Sequence, residues 1–341
     1  MHVDLRSDTV TRPTPAMREA MMAAPLGDDV LGDDPSVTEL ERKTAALLGM
    51  EAAVYVPSGT MSNQIGIAAW TERADCILAE EEAHILYYEC GGPAAISNVM
   101  TWTLPSERGA MDPDLMERRI TKHSVHTPGT TLICLENTHN RAGGAVVPLE
   151  KMAAYRAVAD RHGLRVHLDG ARVWNAAVRL GVPVRDIVRH VDSVSVCLSK
   201  GLGAPVGSVL VGPAPFIEKA RLWRKRLGGG MRQAGLLAAA GIYALDHHFE
   251  RLREDHARAR RLSEGLRGLN GLCPHEPETN IVLVDTEASA EEWADRMASL
   301  GVAFFPNGPK RFRLVTHLDV DDQGIEEALK AFREEASGTW A

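Results

Sequence analysis

The sequence predicts an α/β protein, with a large domain on a mainly parallel sheet and a small α+β domain after it. Three observations lead there. Between residues 52 and 211, short apolar runs of strand length alternate with helical segments, the pattern of parallel strands linked by crossovers. Two of these runs end in a charged residue beside glycine: 169–172 reads Asp-Gly-Ala-Arg and 199–203 reads Ser-Lys-Gly-Leu-Gly. A long helical pattern then runs from residue 234 to about residue 269, and a looser mixture of strands and helices closes the chain. The expected boundary gives 1–250 and 251–341, with the segment of about 1–15 free to pack elsewhere.

A chain of 341 residues is long enough for one large and one smaller core. A net charge of −8 argues against a nucleic-acid footprint and favours small-molecule chemistry. No apolar run is long enough to cross a membrane, and the first residues carry charges where a secretory signal would be apolar. The cysteines (Cys76, Cys90, Cys134, Cys197, Cys273) are odd in number, without metal-ligand spacing, and mostly inside apolar runs. They read as reduced residues of a cytoplasmic protein.

Taken in order, residues 3–9 read as extended and are closed by Pro13 and Pro15, with a short helix after them. The loop 27–35 holds four carboxylates; such loops before helices read as solvated caps, and no metal is expected. Ser36 and Glu39 have capping-box spacing for a helix ending near Gly49. Residues 52–56 form a strand, and Pro-Ser-Gly-Thr-Met-Ser-Asn (57–63) opens an apolar helix to Trp70. Its first N–H groups have no internal acceptor, which suits an anion as well as an ordinary cap.

The strand 76–79 runs out at His84, with Tyr87 and Tyr88 just beyond. Strand 99–104, helix 112–121 and the polar stretch around His126 lead to strand 131–135 and the polar loop 136–144. Helix 148–162 has a proline at its start, and strand 164–168 ends in Asp169. About thirty residues later an apolar strand delivers Lys200 into a loop with Gly201, Gly203, Ala204 and Gly207. A lysine set between buried strands is expected to be desolvated, which frees its amine as a nucleophile. One β-crossover-β unit places Asp169 and Lys200 at the same sheet edge. That pairing is what a pyridoxal phosphate site requires: a lysine to hold the cofactor and a carboxylate to keep its pyridine nitrogen protonated.

Eight motifs then occur in one order: Ser-Asp-Thr-Val-Thr (7–11), Gly-Asp-Asp-Pro (32–35), 57–63, Glu-Asn-Thr-His-Asn (136–140), Asp-Gly-Ala-Arg (169–172), Ser-Lys-Gly-Leu-Gly-Ala-Pro-Val-Gly-Ser (199–208), Gly-Gly-Gly-Met-Arg-Gln (228–233) and Arg-Leu-Val-Thr-His (313–317). Over nearly the whole chain they resemble the L-threonine aldolases, including the low-specificity and L-allo-threonine enzymes. These are pyridoxal phosphate-dependent proteins of the aspartate aminotransferase fold (fold type I). The resemblance implies that Lys200 holds the cofactor, Asp169 bonds its pyridine nitrogen and His84 stacks on its ring. Gly59 and Thr60 would bind the phosphate, with Lys225 and Arg232 reaching it across a subunit boundary. Ser7, Arg172 and Arg313 would hold the substrate carboxylate, and Tyr88 would line the pocket.

The same resemblance implies aldol cleavage of L-threonine, L-allo-threonine or phenylserine to glycine and an aldehyde, in a homotetramer with shared sites. Either His84 or His126, directly or through a water, would take the β-hydroxyl proton. One position departs from the family pattern: Leu31 stands where a tyrosine is expected, which removes a hydroxyl from a neighbouring site. Transamination or β-elimination on the same scaffold is the alternative.

Overall fold

A computed structural model describes residues 3–338. The central sheet has strands β1 (Ala52–Val56), β2 (Cys76–Glu80), β3 (Met100–Leu104), β4 (Thr130–Glu136), β5 (Arg165–Gly170), β6 (Ser193–Cys197) and β7 (Ser208–Gly212). Their order is β1-β7-β6-β5-β4-β2-β3. β7 is antiparallel to both neighbours, and the other pairings are parallel. Parallel neighbours need a long crossover, and the loop 198–207 is too short for one, so the chain doubles back. Gly207 closes that turn at φ 107°. A Cβ there would run into the Tyr55 ring, so the position needs glycine. β2 and β6 are buried along their whole length, as strands covered on both faces must be.

Helix α1 (Pro35–Leu48) corrects the expected cap. Asp34, not Ser36, sits at the N-cap, its Oδ1 accepting the N–H of Ser36 and Val37 at 3.1 and 3.0 Å. Pro35 is the reason, because a residue without an N–H suits the first helical position and moves the cap before it. The other acids of this loop are also occupied. Asp28 accepts the Val30 N–H at 2.8 Å, Asp33 accepts the Asp28 N–H at 2.5 Å, and Asp29 pairs with buried Arg224 at 2.7 Å.

The helical pattern after residue 234 is two helices, α3 (Gly235–His247) and α4 (Leu252–Leu266), once α2 (Gly59–Trp70) is counted earlier in the chain. Two anchors break it. His248 Nδ1 donates to the Leu202 carbonyl at 2.7 Å, and Phe249 packs edge-on against Trp174 with centroids 5.3 Å apart.

Beyond α4, an antiparallel sheet of Leu272–Pro274, Ile281–Thr286, Arg311–Val315 and Phe305–Pro306 packs on an aromatic cluster of Trp293, Phe304, Phe312 and Phe332. The opening segment joins this second core. Val3–Asp4 pairs with Val302–Ala303, and Val3 and Leu5 are buried in the same cluster. It then runs to the Lys200 loop, where Thr11 Oγ1 donates to the Lys200 carbonyl at 2.9 Å. That path carries Ser7 and Asp8 to the sheet edge. Among the described residues, no helix is long and apolar enough to cross a membrane.

Candidate active site

The C-terminal edge of the parallel strands collects the charged groups. Asp169 ends β5 opposite Ser195 of β6 and Glu136 of β4, so Lys200, just past β6, emerges beside it. Asp169 is buried; Oδ1 accepts the Ala171 N–H at 3.0 Å and Oδ2 the Asn63 amide at 2.8 Å. Burial alone would raise its pKa. The charges of His84 and Lys200, with these donors, outweigh burial and hold it below the ordinary carboxylate value.

His84 opens the short helix His84–Tyr87 and donates its backbone N–H to Glu136 Oε2 at 2.7 Å. Its Nδ1 lies 2.9 Å from Glu89 Oε1. Buried Glu89 also accepts from the amides of Asn63 and Gln64, at 2.8 and 2.5 Å. One nitrogen of His84, one oxygen of Glu89 and one of Asp169 lie within 4.8 Å of one another. Burial would lower the His84 pKa, but the Glu89 hydrogen bond and the Asp169 charge reverse that and raise it.

Sequence reasoning missed Glu89, Asn63 and Gln64. The available signal was a pair of amides early in an otherwise apolar helix, where buried amides need partners. Glu89→Gln should move the His84 titration to lower pH, measured by NMR. It should also lower turnover by about ten-fold or more, because a charged hydrogen bond to the imidazole is lost.

The anion site forms at the start of α2. Ser58 caps the helix, its Oγ accepting the Met61 N–H at 3.2 Å, so the N–H groups of Gly59 and Thr60 point outward without helical acceptors. Ser208 Oγ is buried without a hydrogen-bond partner and lies 3.5 Å from where a Cβ on Gly59 would stand. An orphaned hydroxyl beside a helix start fits a phosphate that accepts from both.

At the other end of the site two arginines divide their work. Arg172 donates Nε and Nη2 to the two oxygens of Asp8 at 2.8 and 2.7 Å, with both side chains buried. Although burial opposes it, Arg172 holds the Asp8 carboxyl well below the usual carboxylate range. The third nitrogen of Arg172 reaches Asn140 Oδ1 at 3.3 Å, and the same oxygen accepts Arg313 Nη1 at 3.0 Å. Arg313 forms no ion pair among the described residues. Burial and the charge of Arg172 depress its pKa. Ser7 is buried beside them, capping the one-turn helix Asp8–Val10 and accepting the Thr9 N–H at 3.2 Å. Asp8 and Asn140 lie inside motifs the sequence displayed, but their roles were not legible there.

Tyr88 joins the site by packing on His84, with centroids 5.3 Å apart. Other expected residues stand apart from it. His126 is exposed in the loop entering the N-terminal end of β4, whereas Glu136 ends that strand, and its N–H donates to Ser124 Oγ at 3.1 Å. Within one chain it lies at the opposite end of β4 from Glu136, the residue that accepts the His84 N–H. Lys225 and Arg232 are exposed, and Arg232 pairs with Asp28 at 3.0 Å. Leu31, 75% exposed, lines a surface pocket with Lys225, Asp29 and Gly230.

Lys200 can hold an aldehyde, buried and ionised Asp169 can keep a pyridinium charged, and the α2 start with Ser208 can grip a phosphate; these residues fit pyridoxal phosphate. The fold and site define a pyridoxal phosphate-dependent enzyme of the aspartate aminotransferase architecture. That architecture is shared with an aspartate aminotransferase of Thermus thermophilus (a tetra mutant), at TM-score 0.72 and 19% identity over 97% of this chain and 96% of that one. It is also shared with a threonine aldolase of Leishmania major, at TM-score 0.84 and 20% identity over 98% and 99%. Likeness at such identities speaks to the fold. The sequence reaches further: a family profile described as "Beta-eliminating lyase" matches residues 4–289. The Arabidopsis thaliana protein "Probable low-specificity L-threonine aldolase 2" is 46% identical over 340 residues, 97% of this chain and 96% of its own length. The chain belongs to the beta-eliminating lyase family.

Proposed function

We propose that this enzyme is a carbon–carbon lyase that reversibly cleaves L-threonine, L-allo-threonine and other L-3-hydroxy-α-amino acids, such as phenylserine, to glycine and an aldehyde. The observation that carries the reading is the division between the arginines. Asp8 occupies Arg172, and Arg313 is left with its charge unmatched to take one carboxylate. The 46% identical relative named an L-threonine aldolase supports the same reaction.

Pyridoxal phosphate, when bound, supplies the sink for the electron pair released as Cα–Cβ breaks. The residues do the rest. Arg313 anchors the α-carboxylate by its planar fork, and Asn140 sets the direction of that fork. Fixing the carboxylate selects which bond at Cα is presented for cleavage. Asp169, held ionised, would pair with the cofactor's ring nitrogen. His84 takes the β-hydroxyl proton, directly or through a water, while Glu89 holds Nδ1. Only the neutral imidazole is a base, so its raised pKa means that kcat/KM increases as pH rises through it.

His126, Lys225, Arg232 and Leu31 are exposed on their own chain, which supports sites shared between copies in a homotetramer. On this reading Lys225 and Arg232 serve a neighbour's phosphate, and His126 can act only at a neighbour's site. All five cysteines are free, which supports a reducing, cytoplasmic compartment.

The test is to load the pure protein with pyridoxal phosphate, record its absorption band, and assay acetaldehyde and glycine from all four threonine stereoisomers. Cleavage of the L-isomers alone is expected. Ammonia and an oxo acid without glycine would replace this reading with β-elimination. Arg313→Lys should raise KM by about ten-fold or more, because an ammonium cannot reproduce the fork. Unchanged kinetics would remove Arg313 as the anchor.

A further inference from the structure

Two tyrosines stand at the mouth of the site, Tyr87 at 55% and Tyr88 at 45% exposure. Rings this exposed are free to change rotamer unless something holds them. Arg141, in the loop after β4, holds both. Its guanidinium carbon sits 4.4 Å from the Tyr87 ring centroid, and Nη1 donates to the Tyr88 hydroxyl at 3.1 Å. Arg141 is itself braced, since Nε and Nη2 both donate to Glu82 Oε1, at 3.1 and 3.0 Å. The Tyr88 ring also packs on His84, with centroids 5.3 Å apart. Glu82, Arg141, Tyr88 and His84 thus form one chain of contacts from the surface to the base.

We propose that Arg141, braced by Glu82, is a positioning residue that locks the Tyr88 ring over His84 and so determines which β-substituents the site accepts. The proposal rests on the hydroxy-amino-acid reading above. Once the carboxylate is on Arg313 and the hydroxyl at His84, the β-substituent is the remaining variable group. It shares its carbon with the hydroxyl, so it meets whatever packs on His84, and that is Tyr88. A ring gripped at its hydroxyl cannot swing aside for an aryl group, and a released ring can.

The test compares the cofactor-loaded parent with Arg141→Ala, Tyr88→Phe and the double variant, by kcat/KM for L-threonine, L-allo-threonine and L-phenylserine. Arg141→Ala should raise the phenylserine-to-threonine ratio about three- to ten-fold, the scale of one lost hydrogen bond. It should also narrow the discrimination between threonine diastereomers. Tyr88→Phe removes the gripped hydroxyl and should move both ratios the same way. The double variant should go no further than the larger single change, because both cut one link. Glycine has no β-carbon, so its binding, titrated on the cofactor's absorption band, should match the parent in every variant.

Ratios within two-fold of the parent, or additive effects, overturn the latch. Altered glycine binding in Arg141→Ala also overturns it, placing Arg141 at the carboxylate end instead. If the parent cleaves no hydroxy-amino acid, the proposed reaction fails and the latch falls with it. Intact cleavage with unmoved ratios removes the latch alone.

Discussion

Lys200→Ala should abolish turnover while leaving the protein folded, lowering kcat by roughly ten-thousand-fold or more, the scale of losing the covalent nucleophile of a site. The structure separates the two effects. What holds the Lys200 loop is backbone: its carbonyl accepts from Thr11 Oγ1 at 2.9 Å and from the Gly203 N–H at 2.8 Å. Truncating the side chain leaves both bonds in place. The urea midpoint of the cofactor-free protein should therefore stay close to that of the parent. Added pyridoxal phosphate should still bind through the α2 start and Asp169, but with the absorption of a free aldehyde. Substantial aldol cleavage by the variant would remove Lys200 from the mechanism. A collapsed urea midpoint would mean that the loss of activity reflects the fold.

How much of this was readable in advance depends on how local each interaction is. Strand positions were legible because Cys76–Ala79 of β2 is an apolar run and Val194, Val196 and Leu198 alternate along and just past β6, and their edge was legible because a crossover brings Asp169 and Lys200 together. The break between α3 and α4 was not, since His248 and Phe249 are turned by contacts with Leu202 and Trp174. Nothing in the local pattern announces such partners. Glu89 looks like part of a glycine turn until the amides of Asn63 and Gln64 are seen converging on it. His126 was legible only in part: spacing marks it as a loop histidine but does not tell which end of β4 the loop approaches. Asp8 and Arg172 are 164 residues apart, and only the fold shows that one has taken the other's charge.

That pair carries the second large effect. Asp8→Ala should destabilise the cofactor-free protein by about 3–5 kcal/mol, the usual result of leaving one partner of a buried ion pair alone. Arg172 would keep a buried guanidinium without its counter-charge, and the Asn280 amide, 3.2 Å from Asp8 Oδ2, would lose an acceptor. Asp8→Asn keeps the shape and one acceptor, so its loss should be smaller. Urea unfolding measures both, with the slope unchanged if only the native state is weakened.

The stability that this pair contributes should depend on pH. The folded pKa of Asp8 is depressed, so its contribution is fully present above the unfolded carboxylate pKa of about 3.9 and is lost as pH falls toward the folded value. The gap between parent and Asp8→Asn should therefore be constant from pH 5 to 7 on the order of experimental error and shrink below about pH 4. A gap that stays constant at low pH would mean that Asp8 acts through its shape rather than its charge. The functional consequence follows from the same bond. With Asp8 gone, Arg172 competes with Arg313 for the substrate carboxylate, and KM should change along with stability. An Asp8→Asn variant with lowered stability and unaltered KM would show that the two arginines are independent, and that Arg313 alone defines the carboxylate site.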